Sequence, residues 1–176
     1  VGYSAFNGTI GAERQSFRQG VYRFRPDGSS LEFLGSTTNN TWGLGISETG
    51  EVFCSTANND QCNYLAIPNR YYESVTGWHG RGLVFIADYR AFHPITGKVR
   101  QVDWHGHYTA AAGCAVYTAR SFPESYWNRV ALINSPTGHL LHLSRLERDG
   151  SGFVAGDGYN AFASRDEWCA PTFADV

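Results

Sequence analysis

The sequence predicts an all-β fold of short antiparallel strands, and three observations lead there. Aromatic residues make up 15% of the chain and glycine occurs 20 times, a combination suited to short strands joined by tight turns. Charged residues are only 17%, below the roughly 25% of an average soluble protein, which leaves few positions for solvated helix faces. No segment sustains a long 3.6-residue apolar period. Even the alanine-rich stretch 109–118 is interrupted by Gly113 and followed by β-branched residues, which favours a strand.

The strands come as hairpins. Val21-Tyr22-Arg23-Phe24-Arg25 alternates apolar and polar, turns at Pro26-Asp27-Gly28-Ser29, and returns through Leu31-Glu32-Phe33-Leu34. Trp42 to Ser47 turns at Glu48-Thr49-Gly50 into Glu51-Val52-Phe53-Cys54. His139 to Leu146 turns at Arg148-Asp149-Gly150-Ser151 into Phe153-Val154-Ala155. Asp-Gly between alternating strands is a strong hairpin signal, because glycine accepts the positive φ that the turn requires. A longer hairpin joins Ala115–Thr118 to Arg129–Ile133, and its aromatic connection Phe122–Trp127 suits a short helical turn.

Grouped by fours, these strands predict a β-propeller fragment of about three four-stranded blades. An incomplete first blade covers 1–40, with Val1–Phe6 read as a second strand. One blade covers 42–104, another 109–165, and 168–176 is read as the opening strand of a fourth. Roughly three blades cannot close a ring of about 4–8 and would leave raw sheet edges. The expectation is therefore a piece of a longer chain, which the lack of methionine also suggests, with the rest of the propeller or other chains covering the edges. A compact sandwich of the same strands is the alternative architecture.

Charge and cysteine content limit the function classes. The net charge is −2 and the 14 basic residues are scattered, so nucleic acid is not an expected partner. No stretch is long and apolar enough for a membrane span. None of the four cysteines, Cys54, Cys62, Cys114 and Cys169, forms a C-x-x-C or C-x-x-C-H pattern, so no zinc, redox or covalent haem motif is present. Cys54 and Cys62 bracket a polar segment, and a disulfide between them would close a short loop in an oxidising compartment. Two unrelated core thiols are the other reading.

A set of motifs in fixed order carries a resemblance. They are Gln19-Gly20-Val21-Tyr22-Arg23-Phe24-Arg25-Pro26-Asp27-Gly28, Asn39-Asn40-Thr41-Trp42-Gly43-Leu44-Gly45, Pro68-Asn69-Arg70-Tyr71-Tyr72 and Gly106-His107-Tyr108-Thr109-Ala110-Ala111-Ala112-Gly113. Tyr126-Trp127-Asn128-Arg129, Pro136-Thr137-Gly138-His139-Leu140 and Asp166-Glu167-Trp168 follow. Across almost its whole length the sequence resembles the propeller domain of a bacterial family, found in planctomycetes and their relatives. That family is usually described as membrane-bound dehydrogenase-like or haem-binding, and its propeller is similar to those of quinone-dependent sugar dehydrogenases. The resemblance implies an extracytoplasmic, periplasmic or secreted location and a sugar or glycan as partner. The cofactor it implies is pyrroloquinoline quinone with Ca²⁺, or haem c in a segment not present here.

The densest polar run is Asp103-Trp104-His105-Gly106-His107-Tyr108-Thr109. On an extended segment His105 and His107 point to one side. His107 with Tyr108 could act as general base on a sugar hydroxyl, or both imidazoles could simply order a blade end. The two imidazoles, His105 and His107, could also bind a metal ion together, although H-x-H alone is a weak signal for one. Asn39, Asn40 and Trp42 precede an opening strand and could hydrogen-bond and stack on a sugar ring, or form an Asx turn beside a core Trp. Arg70 could clamp a carboxylate or a quinone, or pair structurally with Glu73. Asp166 and Glu167 could work as acid and base or hold Ca²⁺, or lie in a solvated turn. The clusters at Asn39–Trp42, Asp103–Tyr108 and Asp166–Trp168, each just before an opening strand, would converge on one face of a ring. His139 and His142 read as structural.

The expected function is an extracytoplasmic dehydrogenase-like propeller binding a sugar or polyol, with electrons passing to a quinone or to a haem segment outside this chain. The alternatives are a non-catalytic glycan- or protein-binding module, and a polysaccharide lyase or hydrolase.

Overall fold

The computed structural model describes residues 6–10, 13–17, 19–58, 60–79, 82–99 and 106–165. Twelve strands account for most of the ordered elements among them. β1 (Phe6–Ile10) and β2 (Glu13–Phe17) form one antiparallel pair, and β3 (Gly20–Phe24) with β4 (Leu31–Ser36) forms another. β5 (Thr41–Ile46), β6 (Val52–Thr56), β7 (Asn63–Tyr64) and β8 (Val84–Phe85) make a four-stranded sheet in sequence order. β9 (Ala112–Val116), β10 (Val130–Ser135), β11 (Leu140–Asp149) and β12 (Gly152–Ala163) make a second. All ladders within these sheets are antiparallel, so the chain is all-β.

The turn chemistry decides where strands end. Gly28, Gly50 and Gly150 all have positive φ, at 74°, 87° and 57°, a region that costs little only for glycine. The Asp27 carboxylate also accepts the Ser29 amide at 2.9 Å, closing the β3–β4 turn. The aromatic connection between β9 and β10 contains a single 3₁₀ turn, Glu124–Tyr126. Helix α1 (Asn69–Glu73) is one turn without a buried residue.

The two four-stranded sheets meet through their first strands. A Cβ built on Gly45 would lie 1.9 Å from the Cys114 carbonyl oxygen, and one on Gly43 would lie 2.4 Å from the Gly113 backbone. Ser55 on β6 donates to the Ala111 carbonyl at 2.6 Å. On one face of the β5–β8 sheet, Gly45, Phe53 and Tyr64 lie across from one another in the ladder. Phe53 and Tyr64 pack with Ile86, Cys62, Cys114, Val116, Ile133, Leu140 and Leu146 as the main core. Each large side chain fully removed from water there contributes about 1.5–3 kcal/mol. The opposite face carries Cys54, which packs with Leu65, Leu83, Val21 and Leu34 and so joins the β3–β4 hairpin to this sheet. On β5, Trp42, Leu44 and Ile46 are exposed.

The alternation of faces corrects the expected Cys54–Cys62 disulfide. Cys54 pairs with Asn63 across β6 and β7, so Cys62 faces the other side of the sheet. Both thiols are free and buried, in different cores. The expected strand at Val1–Phe6 lies outside the described residues except for Phe6, which opens β1, and the expected opening strand at 168–176 lies wholly outside them.

The contact between β5 and β9 has no room for a side chain. Gly45→Ala is expected to lower stability by about 1–3 kcal/mol, the usual cost of overpacking. Gly97→Ala, where a Cβ would meet nothing within 4 Å, is expected to stay within about 0.5 kcal/mol of wild type. Urea unfolding midpoints of the two variants check this.

Candidate functional site

After β8 the chain runs between the two four-stranded sheets. Ala87 forms a parallel bridge with Ala155 of β12, and Ala91 bridges His107. This segment delivers Tyr89, Arg90 and His93 to polar residues of both sheets. Arg90 reaches Asp60 at 3.0 Å and lies over the Phe85 ring at 4.1 Å. Gln61, fully buried, donates to the Tyr89 carbonyl at 2.5 Å. The Tyr89 hydroxyl bonds to Ser144.

On the β12 side the seam ends in a cluster of two histidines, a carboxylate and a tyrosine. His93 Nε2 lies 2.6 Å from Asp157 Oδ2. His142 Nε2 lies 3.7 Å from Asp157 Oδ1, beyond hydrogen-bonding reach. The Tyr159 ring stacks on His93, with centroids 4.4 Å apart and planes at 20°. Asn160 donates to the His93 carbonyl at 2.6 Å and so fixes the loop to the strand.

A β-bulge sets this geometry. Ser144 pairs with Asp157 and His142 with Asn160, so two steps along β11 correspond to three along β12. The extra residue turns the strand, and such bulges re-aim side chains. Gly158 permits the close approach, because a Cβ there would sit 2.3 Å from the Leu143 side chain. Tyr159 adopts φ 60°, a conformation that costs a non-glycine residue on the order of 1–3 kcal/mol, and its ring is 64% exposed.

The electrostatics give the members different roles. Burial works against the Asp157 carboxylate, but bonds from His93 and the Tyr159 amide hold its pKa below the ordinary value. With the carboxylate ionised, His93 Nε2 is the donor of this hydrogen bond, and Nδ1 is the ring nitrogen turned away from Asp157. Burial pushes His142 down to about 4, with Asp157 opposing. Neither of its ring nitrogens has a hydrogen-bond partner among the described residues. Tyr89 sits 4.9 Å from the His142 ring and Tyr108 6.0 Å, so aromatic rings fill the space beneath the cluster.

The residues expected from sequence are dispersed. Tyr108 is fully buried, its phenol raised in pKa by desolvation, and it touches the cluster only from inside the core. His107 is half-buried at the Ala91 bridge. Asn39 Oδ1 accepts the Asn40 amide at 2.8 Å, and the Asn40 carbonyl accepts the Ala57 amide at 2.8 Å. Trp42 is 49% exposed rather than a core residue. Arg70 pairs with Glu32 at 2.6 Å and lies over Tyr71, while Glu73 bonds to Asn69; the expected Arg70–Glu73 pair is thus replaced by a link to β4. His105, Asp166 and Glu167 lie outside the described residues. Sequence reasoning did not single out His93, Asp157 or Tyr159, while His142, read as structural, is fully buried against Tyr89 and Tyr108. Gly156-Asp157-Gly158-Tyr159 held the usable signal, since glycines inside a strand mark a bulge.

Among the described residues no group of three or more His, Cys, Asp or Glu side chains is arranged to hold a metal ion, and no helix is long and apolar enough to cross a membrane. A separate cleft of about 590 Å³ opens at the far end of the sheets, lined by Glu51, Phe53, Trp127, Arg145 and Arg148 among others.

Fold and site together define an all-β protein of antiparallel sheets carrying a bulge-borne His–Asp–Tyr cluster. The sequence matches, over residues 1–176, the family described as Domain of unknown function (DUF7133), and the chain belongs to that family. No curated protein and no solved structure matches it.

The buried His142 makes stability depend on pH. Its folded-state pKa, about 4, lies below the unfolded value near 6.5, so the unfolded chain binds the extra proton first. Stability present above pH ~6.5 is therefore lost as pH falls towards 4, by up to ~3 kcal/mol. Urea midpoints at pH 7 and pH 4.5 are expected to differ less in His142→Phe than in wild type.

Proposed function

We propose that the chain is part of an extracytoplasmic, dehydrogenase-like β-propeller that binds a sugar or polyol at the Tyr159–His93–Asp157 cluster. The propeller reading is supported by two successive four-stranded sheets, each ordered by sequence, with their first strands packed together. The exposed row Trp42, Leu44 and Ile46 on β5 is suited to burial against a further sheet, from the rest of the propeller or another chain.

The single observation that carries the binding reading is Tyr159. An exposed ring held at positive φ, stacked on an imidazole and flanked by a carboxylate, offers an apolar plane with hydrogen-bonding groups at its edge. Sugars present matching chemistry, with C–H faces for the ring and hydroxyls for Asp157 and His93. Nδ1 of His93 is the base that would take a hydroxyl proton as the alcohol carbon is oxidised, and Asp157 would stabilise the imidazolium that forms.

Arg90, in the same seam, is committed to Asp60 and Phe85. Only binding and the proton step are assigned to these residues. The resemblance to dehydrogenase propellers supports the oxidation and the location.

A non-catalytic glycan-binding module is favoured by one observation. His142 and Tyr108 are both fully buried beneath the cluster, which leaves a shallow surface rather than a deep pocket.

Calorimetric titration of the full-length protein with a panel of aldoses, polyols and oligosaccharides tests binding. Tyr159→Ala is expected to weaken the sugar that binds about tenfold, or ~1.4 kcal/mol. Dye-linked oxidation separates the two readings: His93→Gln is expected to lower its rate by about 10²–10⁴, far more than it weakens binding. Binding without any oxidation would leave the glycan-binding module. No binding by any sugar, or binding indifferent to Tyr159, would remove the site.

A further inference from the structure

Between β7 and β8 the chain leaves the sheet at Leu65 and returns at Leu83, both packed with Cys54. From residue 66 to residue 79 no side chain is buried. Joining two antiparallel neighbours takes about 2–5 residues, so this connection is longer than its strands require. It nevertheless holds a defined shape. Arg70 ties α1 to Glu32 of β4 at 2.6 Å, and the Ser74 hydroxyl donates to the Tyr71 carbonyl at 2.9 Å where the helix ends. Gly77, at φ 80°, makes the turn that follows, and the Trp78 amide donates to the Val75 carbonyl across it at 3.1 Å.

That turn brings Trp78 back to Tyr72. Their rings stack with centroids 6.1 Å apart and planes at 29°, yet Trp78 is 64% exposed. A cleft of about 520 Å³ opens beside them, lined among the described residues by Tyr72, Gly77, Trp78 and His79. No Asp, Glu, Lys or Arg is among these four. No described residue hydrogen-bonds to the Trp78 indole N–H, the Tyr72 hydroxyl or the His79 ring. Ordered loops that hold aromatic rings out in water mark contact surfaces.

We propose that the Tyr72–Trp78 pair is a platform for a neutral polysaccharide built of pyranose units with equatorial hydroxyls. Such a ring turns its C–H bonds to the aromatic faces. Its hydroxyls lie at the rim, where the indole N–H, the phenol and the imidazole have hydrogen bonds to spend. An anionic glycan finds no cation among the four lining residues. A protein interface of ordinary size covers about 800 Å² on each partner, more than a cleft of four residues offers. The platform lies on a different element from Tyr159 of β12 and does not depend on the reading given to that residue.

Affinity electrophoresis of the full-length protein tests the platform, using native gels that contain β-glucan, xylan or alginate. Tyr159→Ala serves as the background, so that the other candidate site contributes nothing. Retardation is expected in β-glucan or xylan and not in alginate, which is anionic. Adding Trp78→Ala is expected to weaken retention at least tenfold, and adding Trp78→Phe to keep it within about threefold. The urea midpoint is expected to stay the same in both, because the ring is exposed. Absence of retardation in both neutral gels would overturn the proposal, as would equal retention in alginate or retention indifferent to Trp78→Ala. Sedimentation supplies the remaining outcome. Self-association without polysaccharide that Trp78→Ala abolishes would make the surface a protein interface and overturn the glycan reading.

Discussion

Everything in this fold depends on two backbones lying closer than side chains allow. At Gly43 and Gly45 strand β5 rests directly on β9, so the two four-stranded sheets converge at their first strands. That contact fixes which face of each sheet is inward. Because side chains alternate with period two, Phe53, Tyr64 and Cys62 turn towards β9–β12, while Cys54 turns towards the β3–β4 hairpin. Hydrophobic burial supplies the free energy, and glycine sets the geometry through which it is gained.

The polar seam follows from the same packing. Sheets that touch at β5 and β9 leave a space further out, and the segment after β8 fills it. Backbone groups entering that space need partners, and the Ala87–Ala155 bridge and the Asn160–His93 bond supply some of them. The same route carries His93 to Asp157. A regular β12 would alternate its residues strictly inward and outward. The bulge after Asp157 breaks that order, so a carboxylate faces the seam while Tyr159, two residues on, stands out in solvent above it.

His142 shows how an interior polar group is tolerated. Its neutral ring is packed by Tyr89 and Tyr108 rather than hydrogen-bonded, which costs stability that the surrounding aromatic packing offsets. It keeps the floor of the cluster neutral at ordinary pH, so Asp157 is the one ionised carboxylate in the cluster. Clamps at the opposite end are of another kind. Asn128 holds Glu48 by both backbone and side chain, and Arg120 and Arg148 pair with Glu48 and Glu51. These exposed links tie the β5–β6 turn to the second sheet, and exposed pairs of this sort individually contribute little.

Local chemistry made the strands and turns legible. Asp27-Gly28, Thr49-Gly50 and Asp149-Gly150 mark turns because only glycine relaxes at positive φ, and the Val21, Phe53 and Leu143 runs mark strands because their alternation fits a pleated surface. The candidate cluster was not legible in the same way. His93 and Asp157 lie far apart in the chain, and nothing in either neighbourhood encodes the other. The Cys54–Cys62 pairing looked sound by spacing and failed because a ladder register, decided between strands, put the two thiols on opposite faces. By itself the sequence determined the all-β character, the hairpins and their turns, since these depend on residues within a few positions of each other. Only the tertiary structure decided which histidine meets which carboxylate and which core each cysteine enters, because those placements depend on how whole sheets approach, and that distance was set by glycines whose lack of a side chain is informative only once a neighbour is there to occupy the space.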